Sequence, residues 1–179
     1  SNSKNTYLKG VYKYHYNYCL ATIHRTENVD DKDRLFQIIS ALDSIGSVLP
    51  VIFSCHPKTK QRIKEYGIKI ENIRITDPVS FSEFFYLERQ AYCILTDSGT
   101  VMEEASILNK PCVVVRESTE RPEIFENSCA ILSGTNSFDI INAYNAIIKA
   151  DKNKSTIPTG YEREDVSSIV VNFLLSKGI

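Results

Sequence analysis

Short, fully apolar runs alternate along this chain with longer segments whose apolar residues recur at helical spacing, and that alternation constrains the fold more than any other feature. Strands buried on both faces read as unbroken apolar runs, and strand-helix repetition is the pattern of a parallel sheet covered on both sides. Strands are predicted at Tyr18 to Ile23, Val51 to Ser54, Asn72 to Ile75, Tyr92 to Leu95, Cys112 to Val115 and Cys129 to Leu132. Helices are predicted from Lys32 to Ser44, Pro57 to Tyr66, Phe81 to Glu88, Val101 to Leu108 and Phe138 to Ala150. The first presents Leu35, Ile38, Ile39 and Leu42 on one face, with Asp30 or Asp31 placed to cap it, and Pro57 suits a first helical turn. A last amphipathic helix, from Asp165 to Leu175, follows the polar stretch Asp151 to Gly160 and is free to pack away from the sheet. The expected fold is α/β: a doubly wound, Rossmann-like parallel sheet forming a single domain over residues 1–179. A chain of this length buries roughly 70% of its unfolded surface, enough for one real core.

The totals exclude several classes. A formal net charge of −1 argues against a broad nucleic-acid surface. No apolar run approaches the roughly 20 residues needed to span a bilayer, and the start Ser1-Asn2-Ser3-Lys4 has no signal-peptide character, so a cytoplasmic location is expected. Cys19, Cys55, Cys93, Cys112 and Cys129 are dispersed, mostly within apolar runs, and none has close C-x-x-C spacing; they read as reduced core thiols, with no metal site.

In a doubly wound sheet, ligands bind beyond the carboxyl ends of the strands, so the informative residues are those just after each strand. After the first strand, Thr22-Ile23-His24-Arg25-Thr26-Glu27-Asn28 gathers an imidazole, a guanidinium and a carboxylate. His24 could donate to a diphosphate or assist proton transfer, and Arg25 could neutralise phosphate or anchor Glu27; the bland reading is a loop that bonds backbone. His56, in Ser54-Cys55-His56-Pro57, is more often structural than functional. After the fourth strand, Thr96-Asp97-Ser98-Gly99-Thr100 leads into Val101-Met102-Glu103-Glu104-Ala105. Small residues at a helix start present backbone N–H groups and a positive dipole end, and the Ser98 and Thr100 hydroxyls add donors suited to an anionic diphosphate. The turn matches neither a Walker loop nor a G-x-G-x-x-G fingerprint. One of Glu103 and Glu104 can face inward and hold ribose hydroxyls, although acidic residues near a helix start are expected in any case. Arg116 to Glu123 forms a charged loop after an apolar strand, either solvated or closing over a ligand.

Taken together, these segments resemble the non-hydrolysing UDP-N-acetylglucosamine 2-epimerases, whose carboxyl-terminal half carries T-x-H-R-x-E-N, H-P, T-D-S-G-[GT]-x-x-E-E-A and R-x-x-T-E-R-P-E in this order. The match covers Tyr18 to Gly134, and Pro78, Phe81 and Phe84 resemble the family's linker before the fourth strand. The resemblance implies a GT-B-type enzyme of two Rossmann domains, with the second present here and the amino-terminal catalytic-partner domain missing, so that the chain reads as an excised domain or fragment. It implies an isomerase of amino-sugar nucleotide metabolism and polysaccharide biosynthesis that needs no cofactor and no metal, with a UDP-sugar as its ligand and a homodimer at full length. UDP leaves by elimination across sugar carbons 1 and 2 and adds back after carbon 2 is reprotonated on its other face. By motif, His24 is the catalytic residue at the diphosphate, with Arg25 beside it. Ser98, Gly99 and Thr100 hold phosphate oxygens, Glu104 holds the ribose and Phe84 lies against the base. His56, Glu120 and Arg121 line the cleft where some relatives place an effector.

Two positions depart from the usual pattern: Thr100 stands where most such epimerases have a second glycine, and Met102 where they have glutamine. A relative acting on UDP-activated deoxy-acetamido sugars shows the glycine-threonine form, so such a sugar is one alternative. A GT-B glycosyltransferase domain and a non-catalytic UDP-sugar-binding module are the others.

Overall fold

A computed structural model describes residues 17–126, 129–150 and 156–178. The polar start at Ser1 and the first part of the polar stretch after Ala150 lie outside the described residues. Six strands form one sheet: β1 (Cys19–Thr22), β2 (Val51–Ser54), β3 (Ile73–Thr76), β4 (Cys93–Thr96), β5 (Cys112–Val114) and β6 (Ala130–Leu132). Their spatial order is β3-β2-β1-β4-β5-β6, and every pairing is parallel. The helices are α1 (Thr26–Val29), α2 (Lys32–Gly46), α3 (Pro57–Glu65), α4 (Phe81–Gln90), α5 (Gly99–Ile107), α6 (Glu123–Glu126), α7 (Ser137–Ile147) and α8 (Val166–Ser176).

Burial explains why the strands were readable. β1, β2, β4 and β5 are almost wholly buried, whereas edge strands β3 and β6 are partly exposed. Side-chain alternation splits the core into two layers. Cys19, Ala21 and Ile23 join α2 residues Leu35, Ile38, Ile39 and Leu42 and α7 residues Ile140 and Ile147 on one face. Tyr18 and Leu20 join Leu87 of α4, Val101 and Met102 of α5 and Ile124 of α6 on the other. Each fully buried Leu or Ile stabilises the fold by about 1.5–3 kcal/mol. All five cysteines are free and buried.

Local chemistry sets the helix starts. Asp31, rather than Asp30, caps α2 by accepting from the N–H groups of Asp33 and Arg34. Asp30 instead pairs with Lys58 and Arg62 on α3, at 2.7 and 3.0 Å. α4 begins with a full capping box, Ser80 and Glu83 satisfying one another's backbone N–H. Where α2 ends, Gly46 lets the chain entering β3 pass close by: a Cβ there would lie 2.5 Å from the Asn72 carbonyl oxygen. Asp43 fixes the same junction by accepting from the backbone N–H groups of Glu71 and Asn72. Asp165 stands at the N-cap of α8, which has no buried residue and exposes Val170, Val171, Phe173 and Leu175.

Candidate functional site

The strand order reverses between β1 and β4, the switch point at which open sheets of this kind place their ligand crevice. Both of the densest sequence motifs end at this point. β1 delivers His24 and Arg25, and β4 delivers Asp97 and Ser98.

Asp97 organises the crevice. It is fully buried, and its carboxylate accepts from the backbone N–H of His24 (3.0 and 3.1 Å), the backbone N–H of Arg25 (2.9 Å) and the side-chain amide of Asn28 (3.1 Å). A buried carboxylate is tolerated because these donors replace its lost hydration. Arg25 Nε donates to the Asp97 carbonyl oxygen at 2.8 Å, and Asn28 also donates to the Val115 carbonyl at 3.2 Å. The turn after β1 is thereby tied to β4 and β5 together. The His24 ring has its Nδ1 3.5 Å from Asp97 Oδ1, an electrostatic contact too long for a good hydrogen bond, and its side chain is 45% exposed at the sheet edge. Neither Asp97 nor Asn28 was assigned a role from sequence. An acid directly after a buried strand was visible there, but nothing local distinguishes a clamp from a ligand.

Ser98 is the N-cap of α5, its hydroxyl accepting from the Val101 N–H at 3.5 Å. Gly99 and Thr100 open the helix, so their N–H groups have no intrahelical acceptor and point beyond its start. Thr100 is exposed and Met102 fully buried. Arg121 lies across this turn: a Cβ on Gly99 would fall 2.6 Å from Arg121 Nη1. Its guanidinium also donates to Glu103 and, at 2.7 Å, to Glu120. Glu120 accepts a second bond from Arg116 at 3.0 Å, and its carboxyl sits below the ordinary range, through backbone N–H donation first and Arg116 second. The charged loop therefore folds back over the α5 start.

The two adjoining glutamates separate. Glu103 turns to Arg121 and to the Tyr161 hydroxyl, which also donates to Glu123 at 2.9 Å. Glu104 turns to Glu88 of α4. Phe84, in the first turns of α4, packs half-buried against the same core layer as Val101 and Met102. His56 stands at the end of β2, exposed, as the N-cap of α3; its Nδ1 accepts from the Lys58 N–H at 3.2 Å. That bond places any proton of a neutral ring on Nε2. Among the described residues no cluster of three metal-ligating side chains occurs, and no helix is long and apolar enough to cross a membrane.

An all-parallel doubly wound sheet whose polar groups converge on its switch point defines a Rossmann-type domain with its ligand edge at β1 and β4. The chain belongs to the UDP-N-acetylglucosamine 2-epimerase family, whose model matches residues 2–175. It is 41% identical over 161 residues to the UDP-N-acetylglucosamine 2-epimerase of Methanocaldococcus jannaschii, covering 86% of this chain and 44% of that protein. It is also 41% identical over 118 residues to the UDP-2,3-diacetamido-2,3-dideoxy-D-glucuronate 2-epimerase of Pseudomonas aeruginosa, covering 65% of this chain and 33% of that protein. The fold superposes on the crystal structure of the Methanocaldococcus jannaschii enzyme in complex with UDP-N-acetylglucosamine and UDP with a TM-score of 0.83 at 36% identity. That match covers 97% of this chain and 49% of the other. The chain thus spans about half the length, or less, of the relatives it matches, and its fold is that of one Rossmann half of their GT-B-like architecture.

Proposed function

We propose that this domain forms the UDP-holding wall of a UDP-sugar 2-epimerase. The observation that carries the reading is the Asp97 clamp, which holds the His24-Arg25 turn against the residue preceding the α5 N-cap. An imidazole, a guanidinium and free helix N-terminal N–H groups then converge on one edge, a combination suited to a diphosphate. His24 serves as the catalytic residue by stabilising the departing UDP, with Arg25 beside it. The α5 start at Ser98, Gly99 and Thr100 takes phosphate oxygens, Glu104 the ribose diol and Phe84 the uracil. His56, Glu120 and Arg121 border the cleft. The opposing wall comes from the remainder of a longer protein, and the exposed apolar side of α8 suits burial against such a surface. In the assembled enzyme, carbon 2 loses its proton as the C1–O bond to UDP breaks. UDP re-adds after a proton has been returned to the opposite face.

A related UDP-deoxy-acetamido sugar is the second reading for the substrate, favoured by Thr100 and by the similarity to the Pseudomonas aeruginosa protein. Calorimetric titration tests the nucleotide site: UDP should bind more tightly than uridine, and equal affinities would remove the diphosphate cradle.

A further inference from the structure

Glu88 is a carboxyl group in the wrong place for a surface-type side chain. It lies on α4 one helical turn after Phe84 and beside Leu87, so it faces the core layer made by α4, α5 and β5. It is fully buried, and neither of its oxygens meets an N–H or O–H donor among the described residues. Its polar neighbour is the Glu104 carboxyl, close enough for the two to share a proton; the Cys112 thiol of β5 lies nearby, and Glu103 stands beyond Glu104. Two ionised carboxylates cannot occupy this arrangement, since each would be desolvated, unpaired and repelled by the other. One shared proton ends the repulsion, neutralises the fully buried member and gives the remaining carboxylate a donor. Glu88, fully buried, is the member that holds it, and Glu104, only partly buried, is the one that accepts.

We propose that Glu88 is a positioning residue for the nucleotide site: as a neutral acid it donates its O–H to the Glu104 carboxylate, fixing the rotamer in which Glu104 takes the ribose diol. The inference rests on the reading of Glu104 as the ribose ligand. A carboxylate that must meet two hydroxyls at once gains from being held in one orientation before the ligand arrives, because less side-chain freedom is lost on binding. Burial and the neighbouring Glu104 lift the Glu88 carboxyl to about 8; burial and Glu103 raise Glu104 as well, and the contact with Glu88 opposes that rise, as expected when the first donates and the second accepts.

The test compares UDP with 2′,3′-dideoxy-UDP on the parent chain and on Glu104→Ala, Glu88→Leu and Glu88→Gln variants by calorimetry. The parent should prefer UDP about tenfold or more, as a charge-assisted contact to the diol implies. Glu104→Ala and Glu88→Leu should both erase that preference and leave dideoxy-UDP binding unchanged. Glu88→Gln should retain most of it, because an amide still donates to Glu104. A folded Glu88→Leu chain with the full preference overturns the inference and leaves the nucleotide site standing. A parent with no preference overturns the ribose reading and the inference with it. Should Glu88→Leu not fold, the infrared difference between parent and Glu88→Gln at neutral pH decides. It should contain the C=O stretch of a protonated carboxyl, and its absence overturns the proposal.

Discussion

At the scale of single residues, Asp97 and His24 take different parts in the proposed site: Asp97 ties its loops together, and His24 is the residue proposed to meet the ligand. The Asp97 carboxylate is engaged by two backbone N–H groups, one amide and the edge of an imidazole. Replacing it with asparagine turns an NH2 group toward those donors, so at least one is left buried and unsatisfied. Asp97→Asn should cost about 1–3 kcal/mol in urea denaturation and weaken UDP as the His24-Arg25 turn loosens. His24 differs, because its exposed ring makes no good side-chain hydrogen bond among the described residues. His24→Ala should leave the denaturation midpoint nearly unchanged and weaken UDP roughly tenfold to hundredfold, the value of one charge-assisted contact. Loss of stability with UDP affinity intact would return His24 to an ordinary loop residue.

At the scale of elements, α5 is the part of the site whose start matters most. Its first residue is Gly99, two positions earlier than the Val101 start expected from apolar spacing, because Ser98 caps the helix while the hydrophobic period begins only at Val101. The central strands were legible to within a residue or two, since burial on both faces leaves an unbroken apolar signature; at the edge, β3 falls at Ile73–Thr76 instead of Asn72 to Ile75. The four-residue helices α1 and α6 were not legible, being too short to show a helical period. That the motifs after β1 and β4 meet at one sheet edge was legible, but the Asp97 clamp and the Glu88 to Glu104 contact were not. Both join elements distant in sequence, and a charged residue on the core face of α4 has no local explanation. Gly99→Ala follows from the geometry of α5. Alanine favours the helix by up to about 1 kcal/mol, yet its Cβ meets only the movable end of Arg121. Thermal stability should hold or rise while UDP affinity falls, since the methyl displaces the guanidinium from the phosphate turn. Undiminished UDP binding would place the diphosphate elsewhere.

At the scale of the whole molecule, two consequences follow from the parts. With one wall of the cleft, the chain should bind UDP but convert no UDP-N-acetylglucosamine to UDP-N-acetylmannosamine or free UDP, and joining it to the opposing domain should supply turnover; conversion by the chain alone would contradict this division of labour. The other consequence is a stability maximum on the acid side of neutrality. Burial, reinforced by Glu104, lifts Glu88 from its ordinary 4.5 to about 8, so between those values the folded chain keeps a proton that the unfolded chain releases. Raising the pH through this window therefore favours unfolding, by up to about 1.4 kcal/mol per pH unit for a single proton. The opposite slope holds at lower pH. Burial pushes the Asp43 carboxyl up, but N–H donation from Asn72 and Glu71 outweighs it and leaves the group below its ordinary 3.8, so its contribution is present above that value and lost as the pH falls. Above pH 9 the Cys55 thiol, lifted by burial to about 12, stays neutral in the fold and ionises when unfolded, which adds a second alkaline decline. Urea denaturation at a series of pH values should show greatest stability near pH 5 and a fall toward pH 8. Glu88→Gln cannot titrate and should flatten that fall; a slope that survives in the variant would assign it to some group other than Glu88.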